Sequence, residues 1–238
     1  MMQGVSVYSF KDGMGAFVAA LKAALERAEN VQIVQDAKVS QVSSNDGRFM
    51  TLPSAARPPL PHLASNLSSS VAVVNLVFAS PPGAPALHPP GFGFLIPRPA
   101  GGDYHAHGDN PMGILGTVFD SCAVGAQDAG APITKMTVML GGPYGMPDTD
   151  DPAFLDRLLR ELARQLAGPP LPRPLLVRVH RHAACIPTPA VGHEARMAEL
   201  RGAVGKYWGA CAEVVGAEVG GVSVGACIEM GRSVGREW

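Results

Sequence analysis

Val71-Ala72-Val73-Val74-Asn75-Leu76-Val77-Phe78 is the stretch on which the fold turns. All of it is apolar except Asn75, and four residues are valine. β-Branched side chains lose rotamer freedom in a helix and pack well on a pleated surface. The run is too short for a buried helix and nearly continuous, so it predicts a buried strand.

Working outward, residues 92–96, 114–119, 135–140 and 175–180 predict further strands, and 5–9 and 31–42 read the same way. Residues 16–28 predict a helix with Phe17, Val18, Leu21 and Leu25 on one apolar face. Asp151 and Pro152 suit the N-cap and first position of another helix. Leu155, Leu158, Leu159, Leu162 and Leu166 form its stripe and Gly168 its stop. Residues 194–204 and a short segment through Ile228 and Arg232 complete the helices. There is no regular βαβ alternation and no internal repeat. The expected fold is therefore α+β, a mixed or mostly antiparallel sheet with helices packed on it.

Gly (28) and Pro (22) are abundant, which predicts many turns and irregular loops. LPSAARPPLPH at 52–62 is a proline loop, and Asn45-Asp46-Gly47 has turn chemistry. Apolar residues at 47% against 16% charged exclude a disordered chain, and a net charge of -1 excludes a basic nucleic-acid footprint. Cys122, Cys185, Cys211 and Cys227 show neither CxxC nor zinc-finger spacing and read as reduced thiols. No apolar stretch is long enough to span a membrane, and the start has neither signal-peptide nor transit-peptide character.

Polar motifs offer little catalytic chemistry. His105 and His107, with Asp103 and Asp109 nearby, and the His180/His182 pair have the i, i+2 spacing of strand-borne metal ligands, but each fits a solvated loop or strand end better. Asp148, Asp150 and Asp151 lack the glycine and closing glutamate of a calcium loop and suit a helix N-terminus. No metal site and no side-chain acid, base or nucleophile is predicted. A chain of this kind leaves the hard chemistry to a cofactor.

Seven strings in order resemble the protoporphyrinogen oxidases of the fungal, mitochondrial type, within the flavin amine oxidase superfamily. They are YSFKDGMG (8–15), LPHLASNLSSSVAVVNLVF (60–78), GFGFLIP (91–97), GILGTVFDS (113–121), MTVMLGG (136–142), CIPTPAVGH (185–193) and GVSVGACIEMGR (221–232). The resemblance implies non-covalent FAD and oxidation of protoporphyrinogen IX to protoporphyrin IX, with oxygen as acceptor. It further implies a discontinuous FAD domain. Residues 1–50 would be a partial FAD segment, 51–180 the porphyrinogen-binding domain, and 181–238 the returning FAD segment.

Within that resemblance, Val39 matches a position at the adenine end of FAD, and Val222, Ser223 and Val224 match the isoalloxazine end. Phe92, Gly93, Leu95 and Met139 match residues lining the tetrapyrrole pocket. Hydride transfer from a porphyrinogen carbon to the flavin is the implied step, with no nucleic-acid partner. Peripheral attachment to the mitochondrial inner membrane and a homodimer are also implied.

The chain departs from the family in several places. It lacks the N-terminal GxGxxG fingerprint and an anchoring arginine, and a strand after DGRF is missing. Thr188-Pro189 stands where Gln-Tyr is usual, and Gly225-Ala226 where Asn-Asp is usual, which predicts weaker capping of the last helix. The alternatives are an inactive tetrapyrrole- or FAD-binding module, or another flavin amine oxidase-like protein.

Overall fold

The structure is a computed structural model, and it describes residues 10–33, 43–45, 48–50, 60–62, 66–104, 110–209 and 212–237. Two compact units divide the chain. The first comprises Met1–Lys22 and Ser69–Cys185, the second Ala23–Ser68 and Ile186–Trp238. Helix α1 (Gly15–Glu26) passes from one to the other.

The first unit is built on five strands: β3 (Ser68–Ala79), β4 (Gly93–Leu95), β5 (Ile114–Val118), β6 (Ile133–Gly141) and β7 (Leu176–Pro187). Their order across the sheet is β4-β5-β6-β3-β7. β4 with β5, β5 with β6, and β6 with β3 all pair antiparallel. β7 runs the same way against β3, since the N–H of Leu175 reaches Val77 and that of Ala184 reaches Ser70 Oγ. Of the two senses left open by the sequence, the sheet is antiparallel. Hairpin-like neighbours need only short connections, and among the described residues the one α-helix between these four strands is the single turn of α2 (Asp120–Ala123), which is no crossover.

Strand alternation decides what is buried. Ala72, Val74, Leu76 and Phe78 of β3 meet Met136, Val138 and Leu140 of β6 on one face. Helix α3 (Phe154–Gln165) closes that face with Phe154, Leu158, Leu159 and Leu162. Each large apolar side chain removed from water there contributes about 1.5–3 kcal/mol. Asn110 is buried at the entrance of β5. Its amide donates to the Ile114 carbonyl at 2.8 Å and accepts the Ile114 N–H at 3.0 Å, so it pins the strand's first residue.

Several expectations need correction. β3 is not shielded on both sides: Val73, Asn75 and Val77 are half-buried, because helix α3 covers only one face. Helix α1 forms as read, yet Val18, Leu21 and Leu25 are exposed. α3 begins at Phe154 rather than at Pro152. Asp151 closes the preceding turn instead, accepting the Ala153 N–H at 2.8 Å while Arg157 pairs with its carboxylate at 2.7 Å. The strand expected at 175–180 continues to Pro187. Residues 5–9, 34–42, 105–109 and most of the proline loop lie outside the described residues.

In the second unit, β1 (Ser43–Asn45) pairs antiparallel with β2 (Arg48–Met50). Helix α4 (His193–Trp208) buries Met197, Leu200 and Val204 against Val219. His62 Nε2 meets the Glu199 carboxylate at 2.7 Å. The last helix, α5, spans Val224–Glu237.

Candidate functional site

The open face of the sheet gathers three of the four residues predicted to line a substrate pocket. The registers Leu95↔Gly116, Gly116↔Met139 and Val73↔Met139 set Leu95, Met139 and Val73 in one cross-strand row. Directly opposed residues of antiparallel strands share a face, so this row points away from the α3-covered core. Gly116 leaves the row without a side chain between Leu95 and Met139. Leu95 is 78% exposed, and Met139 is half-buried.

Gly93 is required where it stands. Its φ is 151°, and a Cβ there would collide with the carbonyl oxygen of Thr117. Phe92 precedes β4, and its carbonyl accepts the Phe119 N–H at 2.9 Å, extending the register by one residue. Its ring is 55% exposed, but by strand alternation it does not belong to the Leu95–Met139 row.

Beside that row lies a polar groove of about 320 Å³ whose lining includes Asn75, Asp120, Lys135, Thr137, Arg178 and His180. The Asn75 amide donates to Thr137 Oγ1 at 2.8 Å, and that hydroxyl donates to Asp120 Oδ2 at 2.7 Å. Lys135 is paired with Asp128, whose other oxygen accepts the Ser121 hydroxyl at 2.8 Å. Of these residues only His180 draws notice in the sequence, as half of a histidine pair. The available signal was Asn75, the lone polar residue in an apolar strand.

His180 and His182 extend from β7 with ring centroids 6.4 Å apart. His105 and His107 lie outside the described residues. Among the described residues no group of three His, Cys, Asp or Glu side chains could hold a metal ion.

A second cavity, about 930 Å³, belongs to the second unit. Its wall includes Gly192 and His193 at the start of α4, Arg201, Gly220, Gly221 and Val222. Arg201 donates to the Val219 carbonyl at 3.2 Å and steadies the glycine turn. A Cβ on Gly220 would run into the Met230 side chain, and one on Gly221 would lie 2.9 Å from Ala226 Cβ, so the turn hugs α5.

Ser223 caps α5. Its Oγ accepts the Ala226 N–H at 3.0 Å and its carbonyl accepts the Cys227 N–H at 3.0 Å. Ser223, two residues before Gly225, is thus the side-chain cap of α5. As first residue of α5, Val224 has no intrahelical acceptor for its N–H. Val222 of the cavity wall stands two residues before the first residue of α5. Val39 lies outside the described residues.

No family model matches the chain. It is 34% identical over 190 residues to protoporphyrinogen oxidase of Macaca fascicularis, covering 76% of this chain and 36% of that protein. It is 26% identical over 257 residues to the Schizosaccharomyces pombe protoporphyrinogen oxidase, covering 99% of this chain and 49% of that one. The chain thus spans half or less of the length of these relatives. A solved structure of a provisionally named protoporphyrinogen oxidase of Exiguobacterium sp. 255-15 aligns with a TM-score of 0.65 at 20% identity. The alignment covers 97% of this chain and 52% of that one. At that identity the structural likeness establishes the fold.

Proposed function

We infer that this chain, a relative of the protoporphyrinogen oxidases, supplies the substrate-binding sheet and the closing part of the flavin site of an FAD-dependent oxidase acting on protoporphyrinogen IX. The product is protoporphyrin IX, and oxygen takes the electrons and leaves as hydrogen peroxide. The observation that carries the reading is the row of Leu95, Gly116, Met139 and Val73 on the sheet's uncovered face. An apolar row in which Leu95 folds over the buried Gly116 favours a broad, flat ligand, because it presents a smooth surface with no polar group to satisfy.

FAD, when bound, supplies the hydride acceptor. The chain's own residues do the rest. Leu95 and Met139 contact one side of the macrocycle and exclude water from it. Gly93 allows β4 to lie close to β5 at the edge of that surface. Val222, Ser223 and Val224 offer the backbone of the cavity wall and the α5 N-terminus to the flavin, where partial positive charge favours the reduced ring. No side-chain base is needed when orientation is the main requirement. Peripheral association with the mitochondrial inner membrane and a homodimer extend the same proposal. Among the described residues no helix is long and apolar enough to cross a membrane.

FAD titration of the purified 238-residue chain, read by flavin absorbance and fluorescence, tests the cavity. Saturable binding that Val222→Asp weakens supports the assignment, and protoporphyrinogen turnover is then assayed in the loaded chain. Absence of saturable binding, or binding indifferent to Val222→Asp, overturns the assignment of this cavity to FAD.

A further inference from the structure

We propose that the cavity between α3 and the loops before β5 and after β6 is a further ligand site, which takes a small monocarboxylate with an apolar tail and holds its carboxylate on Arg160. This cavity shares no lining residue with the polar groove of the sheet or with the glycine-turn cavity of the second unit. It stands whether or not the tetrapyrrole and FAD readings hold.

The cavity holds about 540 Å³ and lies wholly within the first unit. That volume is in the range of small-molecule sites. Met112, Met146 and Phe154 supply its apolar part, and thioether side chains adapt to ligands of irregular outline. The wall opposite α3 is braced by its backbone. Gly113 has a φ of 63°, and a Cβ there would lie 2.7 Å from Tyr144 Cβ, so Tyr144 is seated directly on the glycine. The Tyr104 ring meets the Tyr144 ring edge-on, with centroids 5.1 Å apart. The Gly145 N–H donates to the Gly142 carbonyl at 3.2 Å. A wall held in this way does not have to be ordered when a ligand enters, which lowers the cost of binding.

Helix α3 supplies the charge. Phe154, Arg157, Glu161 and Arg164 recur at helical spacing on one face, with Arg160 beside them, and all five line the cavity. Glu161 is only 7% exposed, and Arg164 donates to its two oxygens at 2.6 and 3.1 Å. The Gln165 amide adds a third bond to it at 2.8 Å. Arg157 is held by Asp151 at 2.7 Å. Arg160 has no hydrogen bond or ion pair among the described residues, so its charge is the one on this wall left for an external anion. A guanidinium fork matches a carboxylate in two parallel hydrogen bonds. The other acid of the lining, Asp148, accepts the Asp150 N–H at 3.0 Å and has no cation beside it among the described residues. It repels a second negative charge on the ligand. One open cation, one repelling acid and an apolar floor together select a single carboxylate on a hydrocarbon tail, against a diacid or a polyphosphate.

The test titrates octanoate, octanol and octanedioate into the full chain by calorimetry, below micelle-forming concentrations, with backbone amide shifts to locate the bound molecule. Wild type is expected to bind octanoate about tenfold more tightly than octanol, the worth of one good charge-assisted contact. Octanedioate should bind more weakly than octanoate, and the shifts should centre on Gly113 and Gly145. Arg160→Gln should abolish the preference for the acid without weakening octanol binding, and Arg160→Lys should retain part of it. Met146→Ala should weaken octanoate and octanol alike. Arg232→Gln removes the same charge from α5 in the second unit and should leave octanoate binding unchanged. No binding of octanoate by wild type overturns the proposal, as does equal affinity for octanoate and octanol. It is also overturned by an acid preference that survives in Arg160→Gln, by tighter binding of octanedioate, or by shifts confined to the second unit.

Discussion

On β3, Ala72, Val74, Leu76 and Phe78 are fully shielded, while Val73, Asn75 and Val77, each one position along, remain half-buried. The strand, its hydrogen bonds and much of its composition are common to both sets. What differs is the layer beyond: α3 packs its leucines onto the first set, and the second set lies outside that core. The open set also carries the polar chain from Asn75 through Thr137 to Asp120, which a covered face would have to satisfy without water. The comparison teaches that residues of nearly the same type are sealed into the core on one side of a strand and left half-buried on the other, by what packs beyond them.

The sharpest way to break this contrast is to truncate one residue from each face. Leu76→Ala should cost about 2–5 kcal/mol by urea denaturation, since it leaves a cavity among fully buried neighbours. Val73→Ala, on the same strand, should cost about 1 kcal/mol or less. Equal costs would mean that the open face is packed as tightly as the core.

A smaller effect is expected at the rim of the open face. Gly93→Ala should destabilise by about 1–3 kcal/mol through its backbone conformation and the clash with the Thr117 carbonyl. It should raise amide exchange at the paired strand positions of β5. Gly101→Ala, where a Cβ would meet nothing within 4 Å, is the control and should stay within about 0.5 kcal/mol of wild type.

The smallest effect belongs to the covered side and depends on pH. The Ala153 N–H, and then Arg157, hold the Asp151 carboxyl below its usual value of 3.8. A carboxylate depressed in the folded state stabilises above its unfolded value, and that contribution disappears as pH falls through the folded value. Asp151→Asn should therefore lower the denaturation midpoint at neutral pH. The gap from wild type should close as the pH drops below 3.8. A gap that is constant across this range would show that the carboxylate's charge does not brace the turn before α3.

Much of this architecture was legible in the residues. The β-branched run at 71–78 became the centre of the sheet, and the leucine stripe of 155–166 became its cover, because period two and period three to four are properties of local geometry. Element ends were less legible. β7 outruns its predicted end by several residues because pairing with β3 supports a segment whose own pattern, interrupted by Arg178, His180, Arg181 and His182, gives little strand signal. The start of α5 was legible from the GVSV string, but that Ser223 supplies its cap shows only in the structure.

The sequence by itself determined which segments are strands and helices, through side-chain shape and periodicity, and it marked Gly93, Leu95 and Met139 by their strings. Tertiary structure alone decided that Leu95 and Met139 stand in one row, since register across β4, β5 and β6 relates residues far apart in the chain. It alone decided which face of β3 is left open, because that depends on where α3 packs. And it alone brought Arg178 into the groove of Asn75 and Thr137, residues of three different strands that no single segment relates.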